Sequence, residues 1–444
     1  MSKIIVAGAG HGGVVAATGL AQMGHDVTIF EKSKEGCIGL PQSDVAEKSA
    51  FVYADIPLPD EYTTVRNVIT FVPEDKTVIP LTIPAMEAES ILVDRNVLIN
   101  HLLSLATGAG AKVVYETEIT APIILGNRVC GIKTADKEYY CDLVIDACGA
   151  FSPVRSNLPD YMCVNREIQK YDVINTYRGY FNKIPGVPDP ETTYNIYLRD
   201  DGSVGFTWLV TEEEQVDVLI GRFEEIDEGE VLSILQTFHA ENPHMGRDLI
   251  KCGKYAKIPV CQPLGIIVAE GYASIGDCAF MTVPLKGSGI AYSIKAGKIL
   301  ADCIKSDENG YYNAKNLWEY EKRFFKEIGF SACRVAILKN LLPYMTVQQV
   351  NDLFSQEIVT TEELSKVVNE KFDALLNTKG FTTVKDKMKL VRENPLLKEM
   401  ITNVAMWMGR FAVVEAGFPG KYDEEDIKKW SEKYNDFFNS IRAE

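Results

Sequence analysis

One hexapeptide, Gly8-Ala9-Gly10-His11-Gly12-Gly13, limits what this chain can fold into more than any other feature. Lys3-Ile4-Ile5-Val6-Ala7 before it reads as a buried parallel strand. The small and apolar residues after it, to Met23, read as a helix, and Val27-Thr28-Ile29-Phe30 as a second strand ending at Glu31. Strand, turn, helix and strand make one βαβ unit of roughly thirty residues. In such a unit the first glycine allows the tight turn and the second lets the backbone approach a pyrophosphate. The last lets helix pack close to strand. A pyrophosphate sits on the free helix N–H groups and the positive end of the helix dipole. A carboxylate at Glu31 accepts hydrogen bonds from ribose hydroxyls and repels a 2′-phosphate. These features predict a dinucleotide site without choosing FAD or NAD.

Composition removes several alternatives. The 444 residues include 46 Lys plus Arg and 62 Asp plus Glu, a net charge of −16. That surplus repels phosphate backbones and anionic lipid, so no nucleic-acid partner is expected. The length suggests two or three lobes. With 46% hydrophobic and 24% charged residues, the chain can bury a large core. No uninterrupted apolar run reaches the ~18 residues of a spanning helix, and the N-terminus runs straight into a strand without a secretory signal. The ten cysteines are scattered with no CxxC pair, so cluster or zinc ligation by close spacing has no support. They read as reduced thiols of a cytoplasmic protein. His239 and His244 fit one helix face poorly, and no metal site is expected.

Further along, the pattern changes. Residues 68–72 and 77–83 flank Glu74-Asp75-Lys76 as a hairpin. Residues 172–222 read as antiparallel, with Asp201-Gly202 turning between 194–199 and 203–210. Helices are expected at 96–107, 228–240 and 287–305. From 312 onward the signal is helical, broken at Pro343, Gly380, Pro395 and Pro419. The apolar stretch 404–418, interrupted by Arg410 and Glu415, reads as a core or dimer helix rather than a membrane-surface anchor.

Two later segments favour FAD. Ile275-Gly276-Asp277-Cys278-Ala279 ends an apolar strand, and Pro284-Leu285-Lys286-Gly287-Ser288-Gly289-Ile290 opens a helix. An Asp at a strand end can bind ribityl or pyrophosphate groups, and the glycines bring helix N–H groups near the pyrimidine edge of a flavin. Arg95, ahead of the 96–107 helix, can reach the same crevice.

With the fingerprint at 4–31, Arg95, Ile145-Asp146-Ala147-Cys148-Gly149-Ala150-Phe151-Ser152-Pro153-Val154-Arg155 and 275–299 in order, the chain resembles the geranylgeranyl reductase family. That family shares its FAD-dependent fold with para-hydroxybenzoate hydroxylase and flavin-dependent halogenases. The resemblance covers roughly residues 1–310. It implies an α/β protein: a discontinuous Rossmann-type FAD-binding domain (1–67, 85–155, 262–310), an antiparallel substrate sheet (68–84, 156–261) and a helical C-terminal region (311–444). The Asp-Ala-x-Gly form at 146–149 is similar to the reductase and halogenase branches, but the halogenase Trp-x-Trp-x-Ile-Pro signature is absent. The strand at Gly205-Phe206-Thr207-Trp208-Leu209-Val210, followed by Val218-Leu219-Ile220-Gly221, looks like the reductases' substrate-domain strands. Many family members carry a cysteine where Ser43 stands here, with Cys37 near but out of line, which counts against a prenyl-chain substrate.

The cofactor-binding residues so implied are Gly8, Gly10, Gly12, Gly13, Glu31, Lys32, Arg95, Gly149, Asp277, Gly287, Gly289 and Ile290. Tyr177, Tyr194, Tyr197, Phe206 and Trp208 are candidates to line an apolar substrate pocket. Lys286 is the candidate catalytic residue, stabilising charge on reduced flavin or donating to a substrate oxygen. The expected activity is reduction or dehydrogenation of a carbon–carbon bond in an apolar small molecule. Electrons would pass to or from NAD(P)H or a carrier protein, because no second fingerprint is present. A flavin monooxygenase, a non-catalytic flavin electron-transfer protein and an NAD-dependent opine-type dehydrogenase remain open alternatives. A homodimer through the C-terminal helices and peripheral membrane contact are compatible with the pattern.

Overall fold

The computed structural model describes all residues except 65–67, 74–79, 84–89, 165–167, 199–202, 306–310, 357, 364–394 and 444. The two predicted hairpin turns, 74–76 and 201–202, and the break at Gly380 therefore lie outside the described residues. Among those described, the strands form four sheets.

The first sheet holds β1 (Lys3–Ala7), β2 (Asp26–Phe30), β8 (Lys112–Val114), β12 (Leu143–Asp146), β18 (Val268–Ala269) and β19 (Tyr272–Ser274), in the order β18-β19-β12-β1-β2-β8. All neighbours are parallel except β18 with β19. Its central strands are continuous apolar runs because helices cover them, as parallel sheets require. Those helices are α1 (His11–Gln22), α3 (Arg95–Gly108) and α5 (Ile290–Lys305). Small residues let α1 and α5 touch: a Cβ on Gly297 would lie 2.4 Å from the Gly12 carbonyl oxygen.

The second sheet holds β5 (Ile69–Pro73), β6 (Leu81–Ile83), β13 (Val173–Lys183), β14 (Tyr194–Leu198), β15 (Gly205–Thr211), β16 (Gln215–Arg222) and β17 (Met245–Pro259), in the order β17-β13-β16-β15-β14-β5-β6. It is antiparallel except for the parallel pairing of β14 with β5. Strand periodicity sorts its residues onto two faces. Phe181, Leu209, Val216, Val218 and Ile220 pack under α4 (Glu228–Glu241), against Val231, Leu235 and Phe238. Asp227 caps α4 by accepting from the Glu230 N–H at 2.9 Å. The other face carries Arg178, Tyr180, Phe206, Trp208 and Asp217.

Two small sheets join these. One pairs β3 (Ser43–Glu47), β4 (Thr63–Thr64) and β7 (Ser90–Asp94), with α2 (Lys48–Ala54) following β3; the other stacks β9 (Ile119–Leu125), β10 (Arg128–Thr134) and β11 (Glu138–Tyr140).

The C-terminal region is helical: α6 (Ala314–Phe324), one π turn, α7 (Phe330–Lys339), α8 (Val347–Ser355), α9 (Pro395–Ala416) and α10 (Glu424–Ala443). Trp407 and Phe411 of α9 are buried, with Phe411 against Phe330, Phe437 and Phe438. The 404–418 stretch is thus a core helix with one open side, where Met406 and Val413 are exposed. Val350 and Phe354 of α8 belong to a cluster with Phe71, Leu81 and Leu198 at the far edge of the seven-stranded sheet. Arg442 of α10 reaches both Asp172, just before β13, and Gln262, just after β17.

Candidate cofactor and substrate site

In an open parallel sheet, ligands bind beyond the carboxyl ends of the strands. Here those ends bring together three segments: the β1–α1 turn, residues 147–155 after β12, and residues 275–289 after β19. The glycines of the first turn are required chiefly by packing. Gly8 has φ +83°, and a Cβ there would lie 2.7 Å from the Ala147 carbonyl oxygen. On Gly10 it would lie 2.8 Å from the same oxygen, and on Gly13 2.6 Å from the Ala147 Cβ. Gly12 abuts Ile275 and the Ser293 carbonyl. The second glycine was expected to make room for a pyrophosphate, but its missing side chain faces the end of β12 instead. Gly10→Val is therefore expected to push the turn off β12 and to yield soluble protein with little bound flavin, checked by the 450-to-280 nm absorbance ratio.

Glu31 also has a structural role within the turn. It is buried, its Oε2 accepts from the Ala9 N–H at 3.0 Å, and its Oε1 accepts from the Ser33 N–H at 2.8 Å. It shapes the turn from within. Asp146 is fully buried and accepts four hydrogen bonds: from Cys148 N at 3.1 Å, Ser152 Oγ at 2.6 Å, Arg155 N at 3.1 Å and Tyr272 Oη at 2.9 Å. It knots the 146–155 loop so that Gly149, at φ +85°, opens onto free space.

Asp277 suits a ligand better. No described residue hydrogen-bonds its carboxylate, and burial raises its pKa while the charge of Arg95 opposes that rise. A Cβ on Gly289 would come within 2.9 Å of its Oδ1, so only glycine keeps that approach clear. Gly287, at φ +67°, sits 3.3 Å (by its absent Cβ) from Ile258 of β17 and joins this loop to the larger sheet. Lys286 lies in the same loop, half-buried, its N–H donating to the Val283 carbonyl at 3.0 Å. Ile290 is buried in the core at the start of α5, and Lys32 is exposed.

Arg95 anchors the polar centre. Its Nε donates to Asp44 Oδ2 at 2.6 Å and its Nη2 to Asp44 Oδ1 at 2.9 Å. Burial alone would raise the Asp44 pKa; the charge and hydrogen bonds of Arg95, with help from Arg178, hold it below the usual range. Arg178 stands 4.0 Å from Asp44 and is itself clamped on Asp217, at 2.9 and 2.6 Å. Its guanidinium lies over Tyr180 and Trp208, 5.1 and 5.2 Å from the ring centroids. Tyr180 Oη accepts from the Ser43 N–H at 2.9 Å. Lys251 of β17 pairs with Asp94 at 2.6 Å. The open face of the seven-stranded sheet is thereby held against β3 and the cofactor turns.

This register divides the aromatic candidates. Phe206, Trp208 and Tyr194 share the open face; Tyr194 meets Trp208 edge-on with centroids 6.3 Å apart. Tyr177 and Tyr197 lie on the α4 face, Tyr197 with its ring 5.1 Å from Phe238. They pack the outer layer and do not line the pocket. Asp44, Arg178, Tyr180 and Asp217 were missed from sequence. A carboxylate inside the apolar run Val216-Asp217-Val218-Leu219-Ile220 was the one available signal, since such a charge needs a buried partner.

Similarity to known proteins agrees with this geometry. The family model described as "Glucose inhibited division protein A" matches residues 3–170. Among curated proteins, the digeranylgeranylglycerophospholipid reductase of Methanocella arvoryzae is 25% identical over 422 residues, covering 90% of this chain and 98% of its own. That of Methanothrix thermoacetophila is 23% identical over 376 residues, covering 82% and 93%. Among solved structures, a geranylgeranyl bacteriochlorophyll reductase-like protein from Thermoplasma acidophilum superposes with a TM-score of 0.71 at 21% identity, covering 88% of this chain and 99% of that one. This chain shares the fold of that reductase-like protein. The halogenase branch is more distant: the chondrochloren halogenase, described as FAD-dependent, has a TM-score of 0.58 at 16% identity. The fold is shared with FAD-dependent enzymes, and no described helix is long and apolar enough to cross a membrane.

Proposed function

We propose that this flavoprotein reduces carbon–carbon double bonds in isoprenoid chains of a glycerolipid. The observation that carries the reading is the near end-to-end similarity to digeranylgeranylglycerophospholipid reductases, which extends beyond the cofactor turns into the sheet and the C-terminal helices. Ser43, in place of the family cysteine, is outweighed by the extent of that match. FAD would lie along Gly8–Gly13, Gly149, Asp277 and 287–289, and would supply hydride chemistry. The residues present suit it: a bare carboxylate at Asp277 for a hydroxyl, a helix N-terminus for phosphate, and Gly289 kept clear. Phe206, Trp208 and Tyr194 give the chain an apolar floor that excludes water. The buried indole N–H of Trp208 has no partner among the described residues and offers one donor on that floor. Lys286, in the loop beside Asp277, remains the candidate to hold negative charge at the reduced cofactor.

The same reading takes an external electron donor, a nicotinamide or a carrier protein, and a cytoplasmic setting. It also pairs two copies through the open side of α9, where Met406 and Val413 are 46% and 74% exposed. The test is anaerobic. Photoreduced protein is mixed with a phospholipid bearing two geranylgeranyl chains. Flavin reoxidation with a gain of two mass units per reduced bond is expected. Reoxidation only after oxygen is admitted, with a sixteen-unit gain, would establish the monooxygenase instead.

A further inference from the structure

His11 fills a variable position of the glycine fingerprint, yet its Nε2 is buried with no hydrogen-bond partner among the described residues. Native proteins leave few buried polar atoms bare, so a missing partner is the first explanation to seek. Three features describe that partner. His11 is the first residue of α1, so its ring stands at the positive end of the helix, beside backbone N–H groups that helix bonding leaves free. Arg95 adds a guanidinium nearby. Burial first, and the Arg95 charge second, bring the imidazole pKa down to about 4, with Asp44 opposing. The ring is therefore neutral at pH 7 and carries one N–H and one bare nitrogen.

In so positive a setting an N–H at Nε2 calls for an acceptor, and an anion is the acceptor the field selects. The neighbouring carboxylates are committed elsewhere. Asp44 binds Arg95 and Gln42, and Glu31 binds the N–H groups of Ala9 and Ser33. The ring is partly exposed while its Nε2 is enclosed, as expected of a group lining a cleft that a ligand completes.

We infer that His11 donates its Nε2–H to the pyrophosphate of FAD, a side-chain contact added to the backbone cradle of the fingerprint. The inference rests on FAD being the cofactor and is independent of the substrate. His11→Phe keeps a planar ring and removes the donor; His11→Gln keeps a donor. Apoprotein of each variant is titrated with FAD and with ADP, which carries the pyrophosphate without the flavin.

His11→Phe should weaken both ligands by about tenfold, and His11→Gln should recover most of that loss. In 15N-histidine-labelled wild type, the His11 Nε2–H signal should move when ADP is added. Affinities for FAD and ADP within about twofold of wild type, in a folded His11→Phe protein, overturn the contact and leave the cofactor reading standing. A loss confined to FAD also overturns it, because the ring would then meet the flavin. If His11→Phe does not fold, an Nε2 signal indifferent to ADP overturns the contact in its place. Wild type that binds neither ligand removes the cofactor reading together with the contact.

Discussion

Asp146→Ala is expected to be the most damaging single substitution in the cofactor half. Its carboxylate accepts from four donors contributed by Cys148, Ser152, Arg155 and Tyr272, and the residue is fully buried. Water cannot replace it, and each donor left bare costs roughly 1–3 kcal/mol. The terms do not add fully, but a loss of about 4 kcal/mol or more takes a large share of a typical 5–15 kcal/mol stability. We expect Asp146→Ala to accumulate as insoluble protein or to melt far below wild type in a flavin-independent scan. Asp146→Asn should lose less, because a carbonyl oxygen placed at Oδ2 still serves Ser152, Arg155 and Tyr272. Equal melting of wild type and Asp146→Ala would mean that the loop is held by something other than this knot.

Arg178→Met should be nearly as costly in the other half. Arg178 is the hydrogen-bonding partner of Asp217 among the described residues, and both are buried. Removing one member of a buried ion pair strands the other charge, at about 3–5 kcal/mol. Replacing both with apolar residues of similar volume is often neutral. Arg178→Met should therefore lower the urea midpoint strongly, and Arg178→Met with Asp217→Leu should recover most of the loss. Asp44 would lose one of its two cations in both variants, so flavin affinity should stay impaired in the double variant even where stability returns. A double variant no more stable than the single would show that the pair has no stabilising coupling.

The readable parts of this protein are those in which chemistry is local. Strand, glycine turn and helix at 3–22 announce themselves because parallel strands buried on both faces are written as unbroken apolar runs. Helices at 95–108, 228–241 and 290–305 follow from periodicity within one to three residues of their bounds. What could not be read depends on register. Whether Tyr177 or Arg178 faces the pocket is decided by how β13 pairs with β16, and a shift of one residue exchanges them. The centre Arg95–Asp44–Arg178–Asp217 joins residues 51 and 39 positions apart within its two bidentate pairs, each an ordinary charge by itself. Strand β17, with Arg247, Asp248, Lys251, Lys254 and Lys257 along it, shows no apolar alternation to mark it as a strand. Glu31 was placed correctly at the end of β2, yet its orientation turns on the N–H groups of Ala9 and Ser33, which a linear reading does not display.

The reach of Arg442 bears on how the chain comes off the ribosome. Asp172 and Gln262 flank the long passage of the polypeptide through β13 to β17 of the larger sheet, and one guanidinium grips both. Synthesis is vectorial, so Asp172 emerges 270 residues ahead of that guanidinium. At ~5–20 residues per second the wait lasts from about fourteen seconds to nearly a minute. During it the seven-stranded sheet can pair its strands and meet β3 and β7 through Arg178, Tyr180 and Lys251, but it lacks this C-terminal clasp. The nascent protein therefore spends that interval with a half-closed seam, the stage at which a chaperone would find most to hold.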